Sequence, residues 1–479
     1  MSAAIALLVA LTAAEQAPEA AGRDTSYTVV VSKSTQDSGE WKKVVDALVR
    51  RHKGRLLTYD RRVDQTLEAL REQPPRFTCF VATPPEVTKE FIASVHRLTR
   101  KLDADPYTDT IWGILTAFDA PNALRIASRD EPLVVRKVIS GTEIELDFCE
   151  EGAWYCELKQ HRVIRKARGG KPVEEKGPAD TTRALVDALD GADLFITSGH
   201  ATEHDWQIGY AYRNGQFVSK NGELFGIDTE GNRYPIRSSH PKVYLPVGNC
   251  LMGHIDGPDA MALAFMNSAG VHQMIGYTVP TWYGYAGWGC LDYFLEQPGR
   301  YTFAEAFFAN EQALIHRLET CFPDIAREEP PPGDPPRFRV EPGSAARKAG
   351  LTAHDAQGLL FDRDVVAFYG DPAWEARMAD SRKAWEQTLT LKEGTYTLEI
   401  RPLLGERSFD PASRNGSQRG GRPFFELLPH RIQKVEILEG GDLAPIITDD
   451  FVLVPHPGKC DPTRKYRVVF HAERVPTRV

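Results

Sequence analysis

The sequence has few cysteines, no excess of basic charge and no long apolar run beyond its first residues. Each shortage removes a class of protein. The one apolar run, Ala3–Ala14, is far shorter than the ~20 residues that a bilayer core requires, which excludes a multi-span membrane protein. Lys plus Arg number 58 against 66 Asp plus Glu, a formal net charge of -8, so no basic field draws nucleic acid or an anionic membrane. Seven cysteines in 479 residues are too few for a disulfide scaffold, and an odd count leaves at least one thiol free. Cys149 and Cys156 flank a short turn; that spacing suits a closed hairpin or two ordinary half-buried thiols equally. The remainder is 42% hydrophobic and 26% charged, the balance of a globular chain with a sizeable core, long enough for about three domains.

Ala3–Ala14 has the length of a secretory h-region, and small residues near Ala13–Ala17 suit cleavage, although no Lys or Arg precedes it. Residues 1–24 are therefore read as a leader. The protein is then exported, periplasmic or extracellular; without a leader it is cytoplasmic.

Apolar strands alternate with amphipathic helices from Tyr27 to Lys101, the rhythm of βαβ units on a parallel sheet. The fold class is α/β, with two α/β/α parallel-sheet subdomains (25–140 and 141–380) followed by an all-β sandwich (381–479). Helices are expected over Trp41–His52, Val63–Arg71, Pro85–Lys101, Thr182–Leu189, Asp259–Asn267 and within Thr302–Thr320. The basic run His161–Lys171 is read as a solvated hairpin or loop, with a processing site as the sharper alternative. Asn214-Gly215, Asn221-Gly222 and Gly231-Asn232 predict a small antiparallel insertion between the strands at Asp193–Thr197 and Lys242–Val247, with no crossover helix in view.

Two segments carry the chemistry. One apolar strand ends in Ser198-Gly199-His200 and another in Gly248-Asn249-Cys250. Ligands of open parallel sheets bind beyond the carboxyl ends of the strands, and neighbouring strands lie about 4.8 Å apart. If the two are neighbours, an imidazole and a thiol share one rim. A thiol is only slightly ionised at pH 7, and an adjacent imidazole that takes its proton makes it a nucleophile. The backbone N–H groups of Ala201 and Cys250 are the candidate oxyanion donors. A histidine about fifty residues ahead of a cysteine is also the caspase spacing.

The strand–Ser-Gly-His and strand–Asn-Cys pair resembles the caspase-like (clan CD) cysteine peptidases, and among them the gingipains. Three further stretches are similar to that branch: Asp103–Asp109 followed by Trp112-Gly113, the small-residue helix Asp259–Ala269 with the strand to Tyr277, and Phe368-Tyr-Gly-Asp-Pro372. The resemblance implies Cys250 as nucleophile, His200 as general acid/base, a thioester intermediate, a polypeptide substrate and an Ig-like C-terminal domain. It implies no required cofactor and admits structural calcium. Trp282, Tyr283, Tyr285 and Trp288 look like the family's aromatic S1 wall, and Asp205 or Asp109 would supply a negative charge for a basic side chain. Ala201 stands where the family has Gly, so a positive φ there would be strained; Asn249 stands where it has Ala. The alternative is a catalytically inactive, exported binding or scaffold protein of the same fold.

His200, Glu203, His204 and His254 offer a metal hydrolase as a competing reading. The order His-Ala-Thr-Glu-His departs from the zinc-helix pattern, in which Glu follows the first His directly.

Overall fold

The protein is described from a computed structural model, which covers residues 23–334, 339–413, 415–416 and 419–476. The expected leader thus lies outside the described residues but for its last two.

The first strands are Tyr27–Ser32 (β1), Arg55–Tyr59 (β2), Phe77–Val81 (β3) and Ile111–Leu115 (β4), all parallel, in the order β2-β1-β3-β4. Gly39–His52 (α1) turns Trp41, Val44, Val45 and Leu48 inward, a stripe at helical spacing. The helix expected from Pro85 begins later, as Lys89–Thr99 (α2), because the Thr88 side chain accepts the Phe91 N–H and caps it there. The Val63–Arg71 stretch likewise divides, into a 3-10 turn over Val63–Thr66 and a helix over Leu67–Glu72.

A second block contains Lys137–Ser140 (β5), Glu151–Tyr155 (β6), Arg162–Lys166 (β7), Val173–Lys176 (β8), Leu194–Thr197 (β9), Lys242–Pro246 (β10) and Val271–Tyr277 (β11). The late strand Val366–Tyr369 (β12) then inserts between the blocks, parallel to β4 and antiparallel to β11. One twelve-stranded sheet results, in the order β2-β1-β3-β4-β12-β11-β10-β9-β5-β6-β7-β8. The two α/β halves therefore share a sheet, since the segment expected to close the second half supplies the strand between them. Strands β9 to β12 are buried along their whole length, as in sheets covered on both faces.

Thr182–Leu189 (α3) forms as expected, and Met261–Ser268 (α4) follows β10. Between β9 and β10 the chain makes no helix. Four antiparallel strands, Asp205–Gln207, Gln216–Lys220, Glu223–Ile227 and Arg233–Ile236, pack on α3 and α4 in its place. Asn221 and Gly222 both take positive φ (48° and 73°) between the paired Lys220 and Glu223, as a two-residue hairpin requires. Phe217 stacks on Phe195 of β9 at 6.1 Å, so an aromatic layer makes the contact that a crossover helix would have made.

The basic run forms β7 and the turn to β8. Arg162 and Arg165 pair with Glu174 and Glu175 across that solvated hairpin.

Tyr285–Phe294 (α5) and Phe303–Cys321 (α6) are buried almost throughout. Beyond them two antiparallel sheets share a separate apolar core built on Tyr396, Leu398, Phe424, Val452, Val468 and Phe470. One contains Trp385–Lys392, Thr395–Pro402, Tyr466–Arg474 and Ile432–Glu439; the other contains Phe424–Leu427, Phe451–Val454 and Ile446–Ile447. The polar Gly/Ser/Arg loop of this part docks on α5: Arg419 and Arg422 both donate to the buried Asp292, at 2.6 and 3.0 Å. All seven cysteines are free, Cys149 and Cys156 included, and no helix among the described residues is long and apolar enough to cross a membrane.

Candidate active site

β9 and β10 are parallel neighbours, with Thr197 beside Pro246 at the last register step. The turns that carry His200 and Cys250 therefore leave one edge of the sheet side by side. Gly199 takes φ +96°, a conformation that costs glycine nothing and lets the chain break sharply from β9. The strain expected at Ala201 does not arise, because the positive φ falls on the glycine two residues earlier. After β10 it falls on Leu251 (φ +57°), the residue that follows Cys250.

Asn249 lies between the two turns with no solvent exposure. Its Oδ1 accepts the Thr197 hydroxyl at 2.7 Å, and its Nδ2 donates to the Gly199 carbonyl at 3.1 Å. Thr281, just beyond β11, holds the same turn from the other side. Its hydroxyl donates to the Asn249 carbonyl at 2.9 Å and its N–H donates to Cys250 Sγ at 3.2 Å. That N–H fixes the position of the sulfur within the turn.

Cys250 is half-buried, whereas Cys79, Cys149 and Cys290 lie in the core, where burial pushes their thiols up, Cys149 to about 12. Burial thus disfavours the thiolate in those three. Cys250 is the thiol at the rim.

His200 is exposed, and its ring stacks on Tyr210 with centroids 5.0 Å apart. Its carbonyl accepts the Gln207 N–H and Thr202 donates to Asp205, so the Ala201 N–H stands outside that hairpin's ladder. Trp206 donates its indole N–H to the Ser198 carbonyl at 2.8 Å and anchors the loop from beneath. Among the described residues no hydrogen bond joins His200 to Cys250. Such bonds are often long without substrate and tighten when it binds.

The other expected site residues are scattered. Trp288 is buried within α5 and its indole faces Gly248, so it forms the floor under the nucleophile turn and not an open wall. Tyr285 is buried too, and Tyr283 packs on His354 and Phe361. Trp282 alone of the four stands open, at 62% exposure, next to Thr281. Asp205 is spent on Thr202, whose hydroxyl donates to it at 2.8 Å. Asp109 is not at this site. It precedes β4, three strands from β10, hence about 14 Å across the sheet. There it accepts the Leu102 N–H, and burial beside Asp103 and Asp450 pushes its carboxyl up to about 10.

Glu157 escaped the sequence reading, for a Glu in a loop carries no signal of its own. It is buried, its Oε1 accepts from Thr142 (2.6 Å) and Asn415 (2.9 Å), its Oε2 has no partner among the described residues, and its carbonyl accepts the N–H of Tyr210. Tyr210 and Thr281 were missed as well; their roles depend on contacts far from any motif.

Among the described residues two groups of side chains are spaced to share a cation. Glu203, His204 and Asp256 lie at the rim, where His204 pairs with Asp256 at 2.9 Å, and His200 is not among them. Asp103, Asp105 and Asp109 form the other, away from the thiol. Compared with family models, with curated proteins and with solved structures, the chain finds no match.

Proposed function

We propose that the protein is a cysteine endopeptidase of the caspase-like, gingipain type, working through Cys250 and His200. The observation that carries this reading is the placement of a half-buried thiol and an exposed imidazole on adjacent strand ends, with an N–H already donated to the sulfur. His200 takes the Cys250 proton as sulfur attacks the scissile carbonyl carbon. The oxyanion then meets the N–H groups of Ala201 and Cys250. His200 returns the proton to the leaving amine as the C–N bond breaks, leaving a thioester. Water, losing a proton to His200, attacks that thioester, releases the acid and restores the thiol. Trp282 offers an exposed ring to the substrate. The C-terminal sheets are read as the Ig-like domain, and the chain as exported.

This chemistry needs no metal. Asp103, Asp105 and Asp109 are where the structural calcium admitted by the resemblance would be held, since three carboxylates suit a hard cation.

The test is alkylation of Cys250 by iodoacetamide across pH, alongside cleavage of a peptide library. Fast labelling at neutral pH, slowed at least tenfold in His200→Ala, together with cleavage lost in Cys250→Ala, is expected. Cleavage at the wild-type rate by Cys250→Ala ends the assignment. A second reading, an inactive binding protein, is favoured by the Tyr210 stack on His200; it predicts sluggish labelling and no cleavage.

A further inference from the structure

Asn249 does more than precede the nucleophile. It is wholly buried, and each end of its amide is committed across the strand pair: Oδ1 to the Thr197 hydroxyl and Nδ2 to the Gly199 carbonyl. Thr197 ends β9, and Gly199 is the residue before His200. The Asn249 carbonyl is gripped by Thr281, whose N–H meets the Cys250 sulfur. A continuous set of bonds thus runs from the pivot of the histidine turn, through one amide, to the sulfur.

Only an amide fits both ends. A carboxylate would set negative charge against the Gly199 carbonyl, and an apolar side chain would leave that half-buried carbonyl and the buried Thr197 hydroxyl without this partner. The Tyr244 hydroxyl, 2.9 Å from Thr197 Oγ1, extends the network into the core. Gly199 sits at φ +96° between Ser198, whose carbonyl the Trp206 indole holds, and His200, whose carbonyl accepts from Gln207; the bond from Asn249 is the one that ties this pivot to the nucleophile turn.

We infer that Asn249 is a positioning residue, which sets the approach of His200 to Cys250 by tying the Gly199 carbonyl to the nucleophile turn. The inference rests on the Cys250–His200 reading and assigns no contact between Asn249 and substrate. Its consequence is specific: loss of the amide uncouples the thiol from the imidazole without removing either.

The experiment measures the rate of Cys250 alkylation by iodoacetamide from pH 5 to 10 in four proteins besides wild type: His200→Ala, Asn249→Ala, Asn249→Leu and Thr197→Val. Asn249→Leu keeps the volume and lacks both bonds; Thr197→Val removes only the hydroxyl that Oδ1 accepts. The expected result is that Asn249→Ala and Asn249→Leu lose the rate below pH 7 by about tenfold, approaching the His200→Ala profile. Their rates rejoin wild type where the thiol is fully ionised, and Thr197→Val falls between. If Asn249→Leu restores the wild-type profile, the residue serves packing alone and the inference is overturned. Profiles for Asn249→Ala and Thr197→Val that superimpose on wild type, while His200→Ala shifts, also overturn it and leave the dyad intact. A His200→Ala profile identical to wild type sinks the dyad, and this inference with it. Should Asn249→Ala fail to fold, Thr197→Val still decides.

Discussion

Lys242 opens the strand that ends at the nucleophile turn, and its side chain is fully buried. Its ammonium donates to the carbonyls of Ala269 (2.7 Å) and His240 (2.8 Å) and to the Ser238 hydroxyl (3.1 Å). Neutral acceptors repay only part of the lost hydration, so burial lowers this amine to about 8. The folded protein then releases a proton near pH 8 that the unfolded chain keeps until about 10.4. The unfolded state binds more protons between those values, and stability contributed by this group rises with pH across that window. In urea unfolding, wild type gains about 2 kcal/mol on Lys242→Met between pH 7.5 and 9.5. Parallel curves for the two proteins refute this. The buried amine and the half-buried thiol thus flank one strand, Lys242 opening it and Cys250 in the turn beyond its end.

At the level of elements, the turn after Cys250 is held by a close approach of two backbones. A Cβ on Gly253 would lie 2.3 Å from the Gly276 carbonyl oxygen of β11, and one on Gly276 would lie 2.6 Å from Gly253. The Gly253 N–H donates to Tyr277, and the Tyr369 hydroxyl of β12 donates to the Gly253 carbonyl at 2.6 Å. Gly253→Ala pushes the turn away from the sheet; a loss of about 1–3 kcal/mol in urea unfolding and slower labelling of Cys250 follow. Gly257→Ala, with nothing within 4 Å, changes neither measurement. The existence of these elements was legible in the sequence: α3 falls on the expected residues, and the strand ends of β9 and β10 were apparent from apolar runs stopped at Ser-Gly and Gly-Asn. The Asn-Gly turns announced the inserted sheet. Their partners were not legible. No local pattern says that four short strands replace a crossover helix, since that substitution is decided by Phe217 and Phe195 meeting across the layer. Trp288 reads as part of a pocket wall because its aromatic neighbours cluster in sequence, whereas Trp282 stands exposed in the loop ahead of α5 and the helix carries Trp288 beneath Gly248.

At the scale of the whole molecule, the C-terminal sheets are attached to the half that bears the thiol through charges taken out of water. Arg419 donates to Asp292 at 2.6 Å and pairs with Glu296, while its guanidinium lies over the Trp288 ring at 5.3 Å. Removing one partner of such a buried set leaves the others uncompensated. Arg419→Ala is expected to cost about 3–5 kcal/mol and to raise hydrogen exchange across Tyr285–Phe294, the helix under the nucleophile turn. Unchanged protection there would show that the attachment does not brace the site. No local pattern around Arg419 names Asp292 as its partner, since an arginine in a polar loop reads equally as a solvated one. Strand β12 has a consequence of another kind. It is the inner strand of the great sheet and yet lies past residue 360, between β4 and β11. Until the ribosome has released it, the nascent chain carries two unsealed strand edges in its middle, which invite pairing with neighbouring chains. A chain that stops ahead of that strand is therefore expected to aggregate and not to fold as a smaller domain, a difference that sedimentation of a fragment ending before Val366 would read.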